Sequence, residues 1–154
     1  MGIQRVGHVV LKVRDIEKAK WFYVDVLGMK IGKYDAERGM FLRFGDYHHD
    51  IAIFKAPADA ELPKEDQVGL VHVALVTDGE ATVRAMYDRC KAMGVEIVGT
   101  NDHAITHSLY IKDPEGNTIE IYAETDYNWR EEGMGFISRA FDIEAVPSPV
   151  TSNA

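Results

Sequence analysis

Cysteine is nearly absent from this chain and basic residues are scarce: there is one Cys, and 17 Lys and Arg face 25 Asp and Glu for a formal charge of −8. A lone thiol closes no intrachain disulfide and builds no Cys-based zinc site. Cys90, set among apolar neighbours on an expected helix, reads as a buried inert side chain and not as a nucleophile. The acidic balance argues against nucleic acid and anionic membrane surfaces as partners, because both require clustered positive charge. No apolar run approaches the ~20 residues of a membrane span. The opening Met-Gly-Ile-Gln-Arg lacks the basic and apolar regions of a signal segment, so a cytoplasmic location is expected. Low-complexity tracts are missing apart from the terminal stub Pro147–Ala154, which is expected to be mobile. A hydrophobic fraction of 46% in 154 residues suffices for one globular domain with a sizeable core.

Within that frame the chain repeats itself. Residues 3–14 read as a strand rich in β-branched side chains and carrying His8. Asp15 then caps a helix whose apolar positions Ile16, Ala19, Phe22, Tyr23 and Val26 share one face and which stops at Gly28. Strands follow at about 29–35, 39–44 and 49–56. The order recurs as a strand at 68–77 bearing His72, a helix at 79–93 ending at Gly94, and strands near 96–100, 106–112 and 117–124. Gly-His8-Val-Val-Leu overlays Val-His72-Val-Ala-Leu, and Leu27-Gly-Met-Lys-Ile overlays Met93-Gly-Val-Glu-Ile. The reading is a duplicated βαβββ unit in an α+β fold, with the modules forming a cupped, barrel-like mixed sheet and helices outside. Module 1 covers about 3–56, a linker 57–66 and module 2 about 67–124. Together they make one domain over 1–126, followed by a C-terminal extension, 127–154, whose 127–137 stretch is expected to wrap back on the cup. His8 and His72 occupy equivalent places in the repeat and are expected to approach each other.

The densest chemistry lies between Asn101 and Glu120. Asp113-Pro-Glu-Gly-Asn117 is turn chemistry joining two short strands. Alternation on the return strand puts Ile119 and Ile121 on one face and Thr118, Glu120 and Tyr122 on the other, so Glu120 sits mid-strand. A carboxylate there needs a partner, because an unpaired buried charge costs several kcal/mol. Lys112 or Lys12 is one kind of partner and a metal ion another. Two histidines and a glutamate on separate strands compose the facial triad that leaves open positions on Fe(II).

The duplicated pattern with His8, His72 and Glu120 in the ligand positions resembles the vicinal oxygen chelate superfamily, which includes glyoxalase I, fosfomycin-resistance proteins and extradiol ring-cleaving dioxygenases. Within it, Asn101-Asp-His103 through Leu109-Tyr110, Asp113-Pro114, Gly116 and Glu120 is similar to the type I extradiol signature. The resemblance implies Fe(II), or Mn(II) on the same ligand set, held by His8, His72 and Glu120. It further implies His103 and Tyr110 as acid/base residues, and His49, from the His48–Ile53 stretch, as the histidine offered to bound oxygen. The expected substrates are a small aromatic diol and O2, and the expected assembly is a homodimer or higher homo-oligomer. His107 falls outside the signature and is a pocket-wall or supporting residue, while Phe41, Phe54 and Tyr122 are candidates to line the cup. Glyoxalase I would add a fourth ligand from the last strand of module 1, where this chain has Ala52 near the ligand position. A glyoxalase-like lyase or isomerase and a metal-free resistance-type binding protein are the alternatives on the same fold.

Overall fold

The computed structural model describes residues 2–64 and 66–148; Pro149–Ala154, the greater part of the stub expected to be mobile, lies outside them. It divides into two compact units. The first comprises the described residues up to Gln67 together with Pro114–Gly116, and the second comprises Val68–Asp113 and the described residues from Asn117 onward.

The first unit runs β1 (Val9–Val13), α1 (Ile16–Lys20), β2 (Lys30–Asp35), β3 (Gly39–Arg43) and β4 (Ile51–Lys55). Its sheet has the order β1-β4-β3-β2, with β1 parallel to β4 and the other pairs antiparallel. The second runs β5 (His72–Val76), α2 (Glu80–Met93), β6 (Ile97–Asp102), β7 (Thr106–Lys112) and β8 (Thr118–Glu124) in the same order, β5-β8-β7-β6, with β5 parallel to β8. The duplication read from the sequence therefore holds strand for strand. It extends to a detail: the β2–β3 ladder shifts register just after Ile31, and the β6–β7 ladder just after the equivalent Ile97. A bulge at the same place in both halves bends each hairpin in the same way. The expected cupped sheet is realised as two open mixed sheets.

Local chemistry sets the elements. Asp15 Oδ1 accepts from the Lys18 N–H at 3.0 Å, starting α1 and satisfying an otherwise orphaned donor. Glycines with positive φ end both helical stretches, Gly28 at 78° and Gly94 at 70°, the left-handed cap a Cβ disfavours. The helix of module 1 differs from expectation in winding: Trp21–Val26 is π-helical, and the Leu27 N–H reaches Phe22 O. The wider turn keeps the neighbours Phe22 and Tyr23 both buried, together with Ile16, Ala19 and Val26. Phe22 is fully buried, so Phe22→Ala is expected to cost about 3–5 kcal/mol in urea unfolding; a loss under 1 kcal/mol would mean that this face is not core.

Two strand starts also differ. Residues 3–8 and 68–71 lie outside strands, leaving Ile3, Val6, Val68 and Val71 exposed. Each parallel partner begins late, β4 at Ile51 and β8 at Thr118, so the residues upstream have no ladder to join. Between the modules, the described residues of 57–67 lie outside helices and strands and include the local bonds Ala60 N–H to Pro57 O and Gln67 N–H to Lys64 O. The β7–β8 turn closes as its composition predicts, with the Asn117 N–H donating to Asp113 Oδ1 at 2.8 Å. At its tip, Glu115 accepts from Arg14 Nε at 2.7 Å and from the backbone N–H groups of Arg14 and Asp15.

The C-terminal extension belongs to the second unit. It contains a short helix α3 (Trp129–Glu132), a two-residue strand β9 (Arg139–Ala140) paired antiparallel to β6, and a 3-10 turn at Ile143–Ala145. Arg84 on α2 ties it down by donating to the carbonyls of Ile143, Glu144 and Val146. Among the described residues no helix is long and apolar enough to cross a membrane.

Candidate functional site

Four of the six predicted site residues converge in the second unit. His72 opens β5 and Glu120 lies mid-β8, on adjacent parallel strands, with His72 Nε2 3.0 Å from Glu120 Oε2. Tyr110, opposite Glu120 on β7, donates its phenol to Glu120 Oε1 at 2.8 Å. His103, in the β6–β7 connection, puts Nε2 2.9 Å from Tyr110 Oη. Its Nδ1 lies 2.6 Å from the Ile137 carbonyl in the C-terminal extension. Of the lysines considered as partners, Lys112 bonds Thr118 instead, and Lys12 belongs to the first unit.

Counting hydrogens defines what this chain of groups can do. A carbonyl only accepts, so His103 Nδ1 carries a proton. Burial, reinforced by Glu120, pushes the Tyr110 phenol up to about 12, so it keeps its hydrogen at neutral pH. One phenolic hydrogen cannot serve both His103 Nε2 and Glu120 Oε1. A further proton on Nε2 or on Oε1 would complete both contacts, and the three groups in line are spaced to pass it between them. The arrangement can serve as a proton path from an imidazole to a buried carboxylate.

His8 and His49 lie in the first unit. His8 directly precedes β1, with its ring centroid 4.3 Å from that of His49. His49 falls in the loop before β4 and not on the strand. Its Nδ1 is 2.5 Å from His48 Nδ1, and its ring lies 5.0 Å from that of Phe41. Burial, and then the imidazoles of His48 and His8, lower its pKa. The two units are thus unequal in chemistry. Register places Phe41 opposite Ala52 in the first sheet where Tyr110 faces Glu120 in the second, and Val10 opposite Ala52 where Ala74 faces Glu120. The first module carries the apolar version of the pair, and β4 offers no fourth ligand at that position.

The spacing of the donors suits a divalent ion. A 3.0 Å separation between an imidazole nitrogen and a carboxylate oxygen is that of two ligands in adjacent positions, with bonds of about 2.1 Å. Glu120 is buried and hydrogen-bonded through its other oxygen, the support that orients a carboxylate ligand. His72 is half-buried, which leaves access from solvent. Among the described residues neither unit by itself gathers three His, Cys, Asp or Glu side chains into a metal cage. The His72–Glu120 pair fits a metal that draws its remaining ligand from elsewhere.

His107 is a strut. Its Nδ1 meets Glu80 Oε1 of α2 at 2.5 Å, Nε2 lies 3.7 Å from Asp102, and the ring stacks on Phe141 at 4.4 Å. Cys90 is buried, with its thiol pushed up to about 11 by burial, as an inert core residue requires. A cavity of about 510 Å³ in the first unit, lined by Arg14, Glu37, Lys55 and Glu115 among others, contains none of the predicted residues, and these charges pair with one another. The 127–137 stretch was expected to wrap back, but the Ile137 carbonyl was not foreseen as a partner of His103, because a backbone acceptor has no side-chain signature.

Comparison with known proteins agrees with this layout. A biphenyl-2,3-diol 1,2-dioxygenase from Rhodococcus globerulus is 27% identical over 96% of this chain and 82% of its own length. A catechol-2,3-dioxygenase from Bacillus subtilis is 28% identical over 92% of this chain, which spans half of that enzyme. Among solved structures, an integron cassette protein from the mobile metagenome of V. cholerae superposes with a TM-score of 0.58 at 30% identity, over 81% of this chain and 98% of its own. With residues 5–121 matched by the family model, the chain belongs to the glyoxalase/bleomycin resistance protein/dioxygenase superfamily.

Proposed function

We propose that the protein is an extradiol ring-cleaving dioxygenase that inserts both atoms of O2 into a catechol-type aromatic diol, using Fe(II) held by His8, His72 and Glu120. The ligands are assigned from one chain or from two chains of a homo-oligomer. The observation that carries this reading is the linked series His103–Tyr110–Glu120–His72, which joins an acid/base pair to the prospective ligands. The dioxygenase names of the relatives support the same reaction class. Fe(II), when bound, supplies the electronic link between diol and dioxygen.

The chain's own residues handle protons. With Glu120 anionic as a ligand, the mobile proton of the path lies on His103 Nε2, which makes His103 the acid and Tyr110 its relay. Tyr110 Oη, held as a phenol, orients the substrate oxygens by hydrogen bonding. His49 is the histidine offered to the oxygen side, where it would stabilise and protonate the oxygen species; burial and its imidazole neighbours lower its pKa, which makes its protonated form the readier proton donor. Such groups contribute about 10² to 10⁴ each to the rate.

The test is anaerobic purification, iron analysis and an oxygen electrode, with catechol, 3-methylcatechol and biphenyl-2,3-diol as substrates. The expected result is uptake of equimolar oxygen and a yellow ring-opened product from at least one diol. Iron-loaded protein that consumes no oxygen with any of the three would overturn the proposal.

A further inference from the structure

We propose that residues 137–141 form a positioning strap for His103, in which the Ile137 carbonyl fixes the imidazole with its proton on Nδ1 and so aims Nε2 at Tyr110. This inference rests on the reading of His103 as an acid/base residue, but its physical core does not depend on that reaction. The Nδ1–O distance is 2.6 Å, and because a carbonyl has no hydrogen to give, Nδ1 must donate whatever the charge on the ring.

The strap is held at several points. Ser138 Oγ accepts from Asn101 Nδ2 at 2.7 Å, β9 pairs with Asn101 and Asp102, and the Phe141 carbonyl accepts from Thr100 Oγ1 at 2.6 Å. The Phe141 ring lies flat on His107, 20° from parallel. His103 itself sits in a tight connection. Ala104 adopts φ of 66°, its N–H donates to Asp102 Oδ1, and its carbonyl is bonded by Thr125. A non-glycine residue in that region is strained by about 1–2 kcal/mol, and it persists only where the surroundings over-determine the backbone. The connection sets where the imidazole is, and the strap sets which nitrogen faces the phenol. Without the strap, a free imidazole distributes its proton between both nitrogens, and Nε2 is no longer fixed as the nitrogen that takes up and releases the mobile proton facing Tyr110.

The direct test replaces Ser138 by its α-hydroxy acid in the full chain. This turns the Ile137–Ser138 amide into an ester and weakens the Ile137 carbonyl as an acceptor. Ring-nitrogen NMR of the metal-free protein at about pH 8.5, above the ordinary imidazole range, reads the tautomer. The wild type is expected to show a protonated Nδ1 on His103, and the ester a shift toward mixed tautomers. In the iron-loaded enzyme the ester is expected to lower kcat about fivefold to tenfold, the scale of one weakened hydrogen bond, with KM and iron content unchanged. Phe141→Ala, which loosens the strap from His107, should move the same signals in the same direction. Glu144→Ala, which removes only the side-chain anchor to Tyr87 and Lys91, should leave them in place. A wild-type His103 protonated on Nε2 alone, or an ester with unshifted signals and unchanged kcat, would overturn the strap. A locked Nδ1–H in protein that never consumes oxygen would instead uphold the strap and overturn the dioxygenase reading.

Discussion

Glu120→Ala is expected to strip the protein of iron, with affinity falling more than about 100-fold, because even supporting residues around a metal ligand are worth roughly 10- to 100-fold. The carboxylate is the one group that touches both sides of the site: Oε2 faces His72 Nε2 and Oε1 receives the Tyr110 phenol. Removing it also leaves Tyr110 with His103 as its one hydrogen-bond partner in this chain of groups. Glu120→Gln is the sharper version. The amide retains an oxygen for the phenol, so the hydrogen-bonded path stays largely intact, but the negative charge is gone. It should lose iron nearly as completely as alanine does. Iron per chain after anaerobic loading and gel filtration, read beside oxygen uptake, decides the matter: stoichiometric iron in either variant would remove Glu120 from the ligand set.

The sequence made the layout of each half readable because its punctuation is chemical. Asp15, Gly28, Gly94 and the Asp113–Asn117 turn act through their own side chains or through the lack of one, so they announce the element ends at which the structure places them. The features that escaped prediction are those in which neighbouring backbone decides. Apolar spacing cannot separate α from π winding over six residues, and Trp21–Val26 took the wider turn to bury adjacent aromatics. His8 reads as a strand residue by composition, yet β1 begins one residue later because its parallel partner begins at Ile51. His49 likewise falls just outside β4. In the site, Glu120, Tyr110, His103 and His72 were legible because strand alternation and a spaced signature brought them together. The fifth member of that series, the Ile137 carbonyl, could be found only once a two-residue strand had placed it.

Tyr110→Phe and His103→Ala should both cost about 10² to 10⁴ in kcat, and the structure predicts that they will differ in iron. Tyr110 touches the prospective ligand directly, and its hydrogen bond keeps one oxygen of Glu120 oriented while the other faces His72. Losing it should weaken iron retention by roughly 10- to 100-fold, as for other groups that orient a ligand. His103 is one bond further out, joined to Glu120 only through the phenol. His103→Ala should therefore hold iron like the wild type and fail at turnover, since the phenol can still donate to Glu120 but has no acid behind it. Iron content and single-turnover rates on the two variants separate the roles. If His103→Ala lost iron as readily as Tyr110→Phe, the imidazole would be acting as a ligand or as a structural prop, and the path from Nε2 through the phenol to the carboxylate would have no place in the reaction.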